Sequence, residues 1–365
     1  MKKVLAFMLA AMMMASVAVG CGNDSNTSST ESTGTDSTAS TDNNEEPSEA
    51  GTDASDVSIG SCVYKFDDTF MTGVRNTMTA RAEELGAKID IVDSQNKQPT
   101  QNEQVDTFIT KGVNALIVNP VDLTAAGPII TKAKDADLPI VLQNRQPSEE
   151  DMNSYDKAWY VGCRAEQSGT MSGEIIADYF TAHPEADKNG DGKVQYVMIQ
   201  GEPGHQDATL RSEYAPKAIE EAGFGVEQLA ADTAMWDKVK ATDLMAAFIS
   251  SQGIDKIEAV LCNNDDMALG AIEALKAEGY NSGDESKYIP VVGVDATAPA
   301  LEAMKDGSLL GTVLNDSTSQ GNASVNIAVA AAQGKEITEE NIGYPVTDDK
   351  YVWVDYVKVT QDNYQ

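Results

Sequence analysis

From Val57 onward the chain alternates short apolar runs with longer stretches of helical period, and this alternation restricts the possible folds more than any other feature. VSIGSCVY leads to a helix near 69–85, KIDIV to one near 100–111 and ALIVN to one near 125–137, before PIVLQN closes a first set. A second set opens after AWYVG, with helices near 165–182, 207–222, 238–251 and 267–278 separated by VQYVMI, VEQLA, AVLCN and PVVGV. Apolar runs without polar alternation belong to strands covered on both faces, and strand–helix alternation joins such strands into parallel sheets by right-handed crossovers. Two sets predict an α/β protein of two doubly wound parallel-sheet lobes. The length agrees, because residues 57–365 are too many for one comfortable core. GTVLND, an Ala-rich helix near 317–333 and YVWVDYVKV come once both sets are complete.

The start of the chain is of another kind. Met1-Lys2-Lys3, an apolar run to Val19 and then Gly20-Cys21 read as a secretory signal over 1–21, too short to span a bilayer comfortably, with Cys21 as the lipidated residue of a lipoprotein. Ordinary signal cleavage and a soluble product is the other reading. Residues 22–56 contain no Lys or Arg and hardly an apolar side chain, a composition that cannot offset its own ordering entropy. As a flexible coil such a segment reaches roughly 30 to 35 Å, which suits a tether holding a folded body off a membrane.

Of the formal charge of −32, nine acidic residues lie in the tether and two lysines in the leader, which leaves −25 on residues 57–365. A field of that sign argues against nucleic acid and against an anionic ligand. Beyond Cys21 the cysteines are Cys62, Cys163 and Cys262, an odd number with no metal-ligand spacing, each in or beside an apolar run, as expected of buried small hydrophobes.

In open parallel sheets, ligands bind beyond the carboxyl ends of the strands. The residues just beyond the apolar runs of this chain are Asp67-Asp68-Thr69-Phe70, Asn144-Arg145, the segment 202–207, Trp236, Asn263-Asn264-Asp265, Asp295 and Asn315. Carboxylates and amides meet hydroxyls that both donate and accept, and flat rings cover the C–H faces of a sugar, so this set suits a polyol. Each polar residue has a plainer explanation as a helix N-cap. Asp207 and Arg211, four apart on a helix, would equally make a surface ion pair, Trp236 a core aromatic, and His183 a solvated side chain.

A second constellation is DKNGDGKVQ, in which Asp187, Asn189 and Asp191 alternate oxygens, Gly192 permits a sharp bend, and the Lys193 carbonyl and Gln195 continue the series. That is the first part of a calcium-hand loop, without the bidentate Glu at its twelfth position, where the chain has become a strand. A solvated Asp/Asn/Gly turn is the alternative.

GEPGHQDATLR, DTAMWD, NNDDMALGAIEALK, VVGVDA and GTVLND, together with YKFDDTFM and DSQN, occur in an order that resembles the periplasmic galactose/glucose-binding proteins of bacterial sugar transport, which have the type I periplasmic binding protein fold. The resemblance runs from about Ser58 to the C-terminus. It implies lobes of 57–161 plus 317–352 and of 165–313 plus 357–365, joined by a three-segment hinge near 162–164, 314–316 and 353–356. It gives Phe70 and Trp236 as the two faces of a sugar sandwich, with Asp68, Asn144, His205, Asp207, Arg211, Asn264, Asp295 and Asn315 as hydrogen-bond partners. Arg145 stands where the family usually has Lys, and Phe66 where it usually has Tyr, so the rim departs from the pattern. It also supplies Glu258 as the missing ligand of a structural Ca2+ held by Asp187, Asn189, Asp191, Lys193, Gln195 and Glu258.

The expected function is capture of galactose or glucose outside the cytoplasm by a monomeric, lipid-anchored protein and delivery to an ABC permease, with presentation to a chemosensory receptor or binding of another monosaccharide as alternatives. A glycoside hydrolase would need two carboxyls flanking the scissile bond, one with a raised pKa. Here the carboxylates sit among amides and an Arg, and no nucleophile with a paired base is visible, so no enzyme is expected. A sugar-regulated repressor of the same fold would carry a basic helix-turn-helix in place of the signal.

Overall fold

The computed structural model describes residues 56–364. The leader, Cys21 and the tether up to residue 55 lie outside the described residues. The first half runs β1 (Ser58–Val63), α1 (Thr69–Glu84), β2 (Lys88–Asp93), α2 (Gln98–Lys111), β3 (Ala115–Val118), α3 (Ala126–Asp135), β4 (Ile140–Gln143), α4 (Glu149–Asn153) and β5 (Ala158–Gly162). Then come α5 (Ala165–Ala182), β6 (Lys193–Gln200), α6 (Gln206–Glu221), β7 (Gly225–Thr233), α7 (Lys238–Gln252), β8 (Ala259–Cys262), α8 (Asp265–Ala277), β9 (Val291–Val292), α9 (Ala298–Lys305) and β10 (Thr312–Leu314). The chain ends with α10 (Ser317–Ala332), α11 (Glu339–Ile342), β11 (Tyr351–Trp353) and β12 (Val357–Val359).

The first sheet has the order β2-β1-β3-β4-β5-β11 and is parallel throughout. Its inner strands β3, β4 and β5 are buried at every position, whereas KIDIVD of β2, with exposed and half-buried residues, takes an edge. The second sheet, β7-β6-β8-β9, is also parallel and has the polar strand GVEQLAADT (β7) at its edge. Single parallel bridges, Val292 to Gly311 and Asp295 to Leu314, attach β10 to it. β12 pairs antiparallel with β10, a departure from the all-parallel expectation. The reason lies in the path: β12 comes back from the first sheet at the end where β10 leaves, so it can only run the opposite way.

The chain passes from one sheet to the other after β5, after β10 and after β11. YVWVDYVKV, one apolar run in sequence, is therefore split between the two lobes. Each sheet carries an apolar layer on both faces: Met78, Ile117 and Ala323 against Phe108, Ile130 and Leu142 in the first, and Met245, Val260 and Ile272 against Ile176, Met198 and Ile219 in the second. α5 and α6 meet backbone to backbone at Gly173, where a Cβ would sit 2.1 Å from the Ala215 carbonyl oxygen. This close seat fixes α6, the helix that carries Asp207 and Arg211.

Candidate functional site: a polar cavity between the lobes

The N-caps resolve the ambiguity left by the sequence, because they serve both purposes. Asp68 caps α1 with Oδ1, which accepts from the Met71 N–H at 2.7 Å, while Oδ2 accepts from the Tyr64 hydroxyl at 2.5 Å. His205 caps α6 through Nδ1, which accepts from the Asp207 N–H at 3.1 Å, so its ring proton resides on Nε2. Asn264 caps α8 with Oδ1 at 3.0 Å from the Met267 nitrogen, and its Nδ2 donates to no atom among the described residues. Each of these capping side chains also lines the cavity.

The remaining residues are held more rigidly. Arg211, 4 % exposed, donates from Nη2 to Asp207 Oδ2 at 2.9 Å and to the Tyr356 hydroxyl at 2.8 Å, from Nη1 to the Asn263 carbonyl at 2.8 Å, and from Nε to Ser168 Oγ at 3.0 Å. The surface-pair reading of Asp207 and Arg211 is thus corrected: both are buried, and the pair is locked from α5, the Asn263 loop and the last crossover. Trp236 belongs to the second-lobe core and also faces the cavity; its ring lies against Gly201, where a Cβ would come within 2.1 Å of it, and meets His205 edge-on at 5.1 Å. Asp295 accepts from Asn315 Nδ2 at 3.1 Å. Asn144, Trp236 and Asp295 all have positive φ (62°, 63° and 127°), backbone strain that persists where the surroundings impose it and that gathers at functional sites.

One cavity between the two lobes is lined by all eleven residues singled out in the sequence: Asp68, Phe70, Asn144 and Arg145 from the first lobe, His205, Asp207, Arg211, Trp236, Asn264 and Asp295 from the second, and Asn315 at the crossing. Tyr64 and Met71 complete the lining. In sequence Tyr64 ends an apolar run and opens YKFDDTFM without an assigned role; its place at the carboxyl end of β1 is the signal that it faces the cleft. His183, by contrast, is half exposed, stacks on Tyr179 at 4.5 Å and takes no part in lining this cavity. Among the described residues Cys62, Cys163 and Cys262 are free and buried as expected, but Cys163 does more than fill space, donating to Asn315 Oδ1 at 3.3 Å.

The lobes are closed on one another. Arg145 Nη2 meets Glu202 Oε2 at 2.6 Å, Thr69 Oγ1 donates to Asp266 Oδ2 at 2.7 Å, and the Gln146 N–H donates to Gln206 Oε1 at 3.1 Å. Arg145 also donates to the Val121 carbonyl, and its guanidinium lies over the Tyr64 ring.

Burial sets the charges inside. It lowers the His205 pKa well below the usual value, with Arg145 and Arg211 adding to the effect, so the imidazole is neutral. Asp207 is pushed up by burial and pulled back by Arg211 and Arg145. Asp295 is raised well above the carboxylate range, by burial first, against the pull of Arg211. For Arg211 burial acts against the charge, but Tyr356, Asp207 and Asp295 outweigh it and the guanidinium stays protonated. The result is a cavity of neutral and balanced donors and acceptors with two aromatic walls, suited to an uncharged polyol.

The DKNGDGKVQ loop adopts a tight turn. Asp187 Oδ1 accepts from Gly190 N–H at 2.7 Å and Oδ2 from Gly192 N–H at 2.9 Å, while the Asn189 and Gln195 side-chain amides approach Asp191 Oδ2 at 3.3 and 3.0 Å. Glu258, 2 % exposed, accepts from the backbone N–H of Lys188 at 2.7 Å and of Gln195 at 3.1 Å. The Lys193 side chain turns outward, 3.6 Å from Glu227. Among the described residues, no three His, Cys, Asp or Glu side chains come together closely enough to cage a metal by themselves. Gln195 Oε1 is buried with no partner, and Glu258 is pushed up by burial, with Asp187's charge adding to it.

Two doubly wound lobes, joined by three crossings and closed over a polar cavity, define a two-lobed solute-binding protein. The chain belongs to the periplasmic binding proteins: the model of the periplasmic binding protein domain matches residues 59–336. Members of this family bind solutes outside the cytoplasm and are not enzymes. The D-galactose/methyl-galactoside binding periplasmic protein MglB of Haemophilus influenzae is 43 % identical over 87 % of this chain and 93 % of its own. A putative rhizopine-binding protein of Rhizobium meliloti is 35 % identical over 79 % of this chain and 88 % of its own. Among solved structures, an ABC transporter solute-binding protein from Bacillus halodurans with bound myo-inositol superposes with a TM-score of 0.71 at 33 % identity, covering 87 % of this chain and 97 % of that one. No helix among the described residues is long and apolar enough to cross a membrane.

Proposed function

We propose that this protein binds D-galactose and D-glucose between its lobes and delivers them to an ABC permease. The observation that carries the reading is the convergence of nine polar residues with the Phe70 and Trp236 rings, from both lobes and one crossing, on one cavity between the lobes. The pyranose lies between Phe70 and Trp236. Asp68 offers enough lone pairs to meet either epimer of the hydroxyl that distinguishes the two hexoses. The likeness to the galactose/methyl-galactoside binding protein supports the same choice. Titration calorimetry against galactose, glucose, ribose and myo-inositol tests it: both hexoses should bind within a modest factor of each other and ribose far more weakly, because a smaller ring leaves buried Asp and Asn groups unpaired at about 1 to 3 kcal/mol each. Tight myo-inositol or ribose binding without either hexose would establish the second reading, which relatives named for rhizopine, ribose and bound myo-inositol favour.

Two further parts belong to this proposal. A structural Ca2+ is held by Asp187, Asn189, Asp191, the Lys193 carbonyl, Gln195 and Glu258; the unpartnered Gln195 Oε1 and the buried Glu258 carboxyl support an oxygen shell at that corner. The ion supplies a clamp between the loop and the start of β8. Lipidation at Cys21 anchors the protein, and Cys21→Ser should leave an exported product that no longer partitions into detergent.

A further inference from the structure

Asp265 lies next to the capping residue Asn264 but does not line the cavity; it is fully buried one layer behind. Among the described residues it makes no ion pair, so its carboxylate rests on neutral donors alone. Oδ2 accepts from the Thr297 backbone N–H at 2.7 Å and Oδ1 from the Thr312 hydroxyl at 2.6 Å. Thr312 Oγ1 in turn accepts from the Ala296 N–H at 3.3 Å. These bonds grip the turn immediately after Asp295, in which two consecutive non-glycine residues, Asp295 (φ 127°) and Ala296 (φ 53°), occupy the left-handed side of backbone space. Such a conformation persists only where surrounding contacts over-determine it. Two backbone bonds complete the frame: Asp265 N–H to the Val294 carbonyl and Asp295 N–H to the Val313 carbonyl, both 2.8 Å. A side chain at Gly293 would collide with Asp265 Oδ1 at 2.3 Å, so the carboxyl is seated directly beneath the strand that presents Asp295.

We propose that Asp265, acting through Thr312, is a positioning residue for the sugar site: it holds the strained Asp295–Ala296 turn so that the Asp295 carboxyl is aimed into the cavity. This rests on the reading of the cavity as a sugar site. Burial raises the Asp265 carboxyl to about 6, while the bonds from Thr312 and Thr297 work to keep it ionised, as a residue serving as a double acceptor requires.

The isosteric change Thr312→Val removes the hydroxyl and keeps the volume, Thr312→Ser keeps the hydroxyl, and Asp265→Asn keeps the shape while turning one acceptor into a donor. Calorimetry on the full chain would measure affinity for whichever polyol of the four-compound panel wild type binds, with melting curves recorded in parallel. The expected result is at least a tenfold weaker affinity in Thr312→Val and Asp265→Asn, with Thr312→Ser within about twofold of wild type. Wild-type affinity in Thr312→Val, whatever its melting temperature, or equal weakening in Thr312→Ser, would overturn the inference, and Thr312→Val decides it even if Asp265→Asn does not fold. Failure of wild type to bind any of the four compounds would instead overturn the sugar reading, and this inference with it.

Discussion

The two lobes share a doubly wound parallel core but contribute unequally to the cavity. The second lobe supplies His205, Asp207, Arg211, Trp236, Asn264 and Asp295, every one of them buried and most tied into hydrogen bonds that exist without a ligand. The first supplies Asp68, Phe70 and Asn144, all partly exposed, the buried Tyr64 and Met71, and Arg145, which is buried against Val121 and Tyr64 and reaches across to Glu202. The second lobe is thus a prebuilt half-site, and the first acts as a cover whose contacts are completed on closure. A ligand stabilises the closed pair only through its differential affinity for it, so the cover's residues should tune affinity while those of the half-site also hold up the fold.

The largest effect should come from Arg211→Ala. It would leave Asp207 buried without its cation, costing about 3 to 5 kcal/mol, and abolish sugar binding; a denaturation midpoint near wild type would dissolve the contrast between the lobes. Next comes the aromatic pair. Trp236→Ala opens a hole in the second-lobe core worth about 3 to 5 kcal/mol in denaturant unfolding, whereas Phe70→Ala, from a half-buried position, should cost less than about 2 kcal/mol. Both should weaken every sugar, and equal losses of stability would break the asymmetry.

Acid sharpens the same comparison. Asp265, Asp295 and Asp207 all have raised pKa values; for Asp265, raised to about 6, the folded state between pH 4 and about 6 holds a proton that the unfolded chain has released, and Asp207 and Asp295 act in the same sense. Their contribution to stability therefore falls as pH rises through that window. His205 acts in the opposite sense, since the folded imidazole stays neutral while the unfolded one protonates below its usual value. Asp265→Asn should flatten the fall between pH 4 and 6 in sugar-free melting curves, and an unchanged profile would remove the buried-carboxylate account.

Chelation should lower the melting temperature by on the order of 5 °C without abolishing sugar binding in the cold. An unchanged melt, both after chelation and in Glu258→Ala, would eliminate the calcium clamp. The smallest effect expected is that of Thr69→Val, which removes one inter-lobe hydrogen bond worth about 1 kcal/mol, visible as a several-fold loss of apparent affinity with no change in melting of the sugar-free protein.

The two-lobe architecture and the strand-end residues were legible in the sequence because each depends on local pattern: buried parallel strands read as apolar runs, and caps fall where helices start. α9, the eight-residue helix Ala298–Lys305, was not foreseen, being too short to show a period. α4 and α11, shorter still, escaped for the same reason. Tyr64 was hidden within an apolar run, and the antiparallel β12 inside another, since hydrophobicity says that a residue is covered but not by which lobe.

The sequence by itself determined the order of strands and helices, the residue types at the mouths of the strands and the acidic, polar N-terminal segment, all properties of contiguous local stretches. Tertiary structure alone decided that Asp207 and Arg211 form a buried pair, that Arg145 joins the lobes, and that Asp265 supports the turn of Asp295 from Thr312, 47 residues away. Burial and long-range hydrogen bonding set whether a carboxylate is a cap, a ligand or a brace, and both depend on which distant segments fold against it.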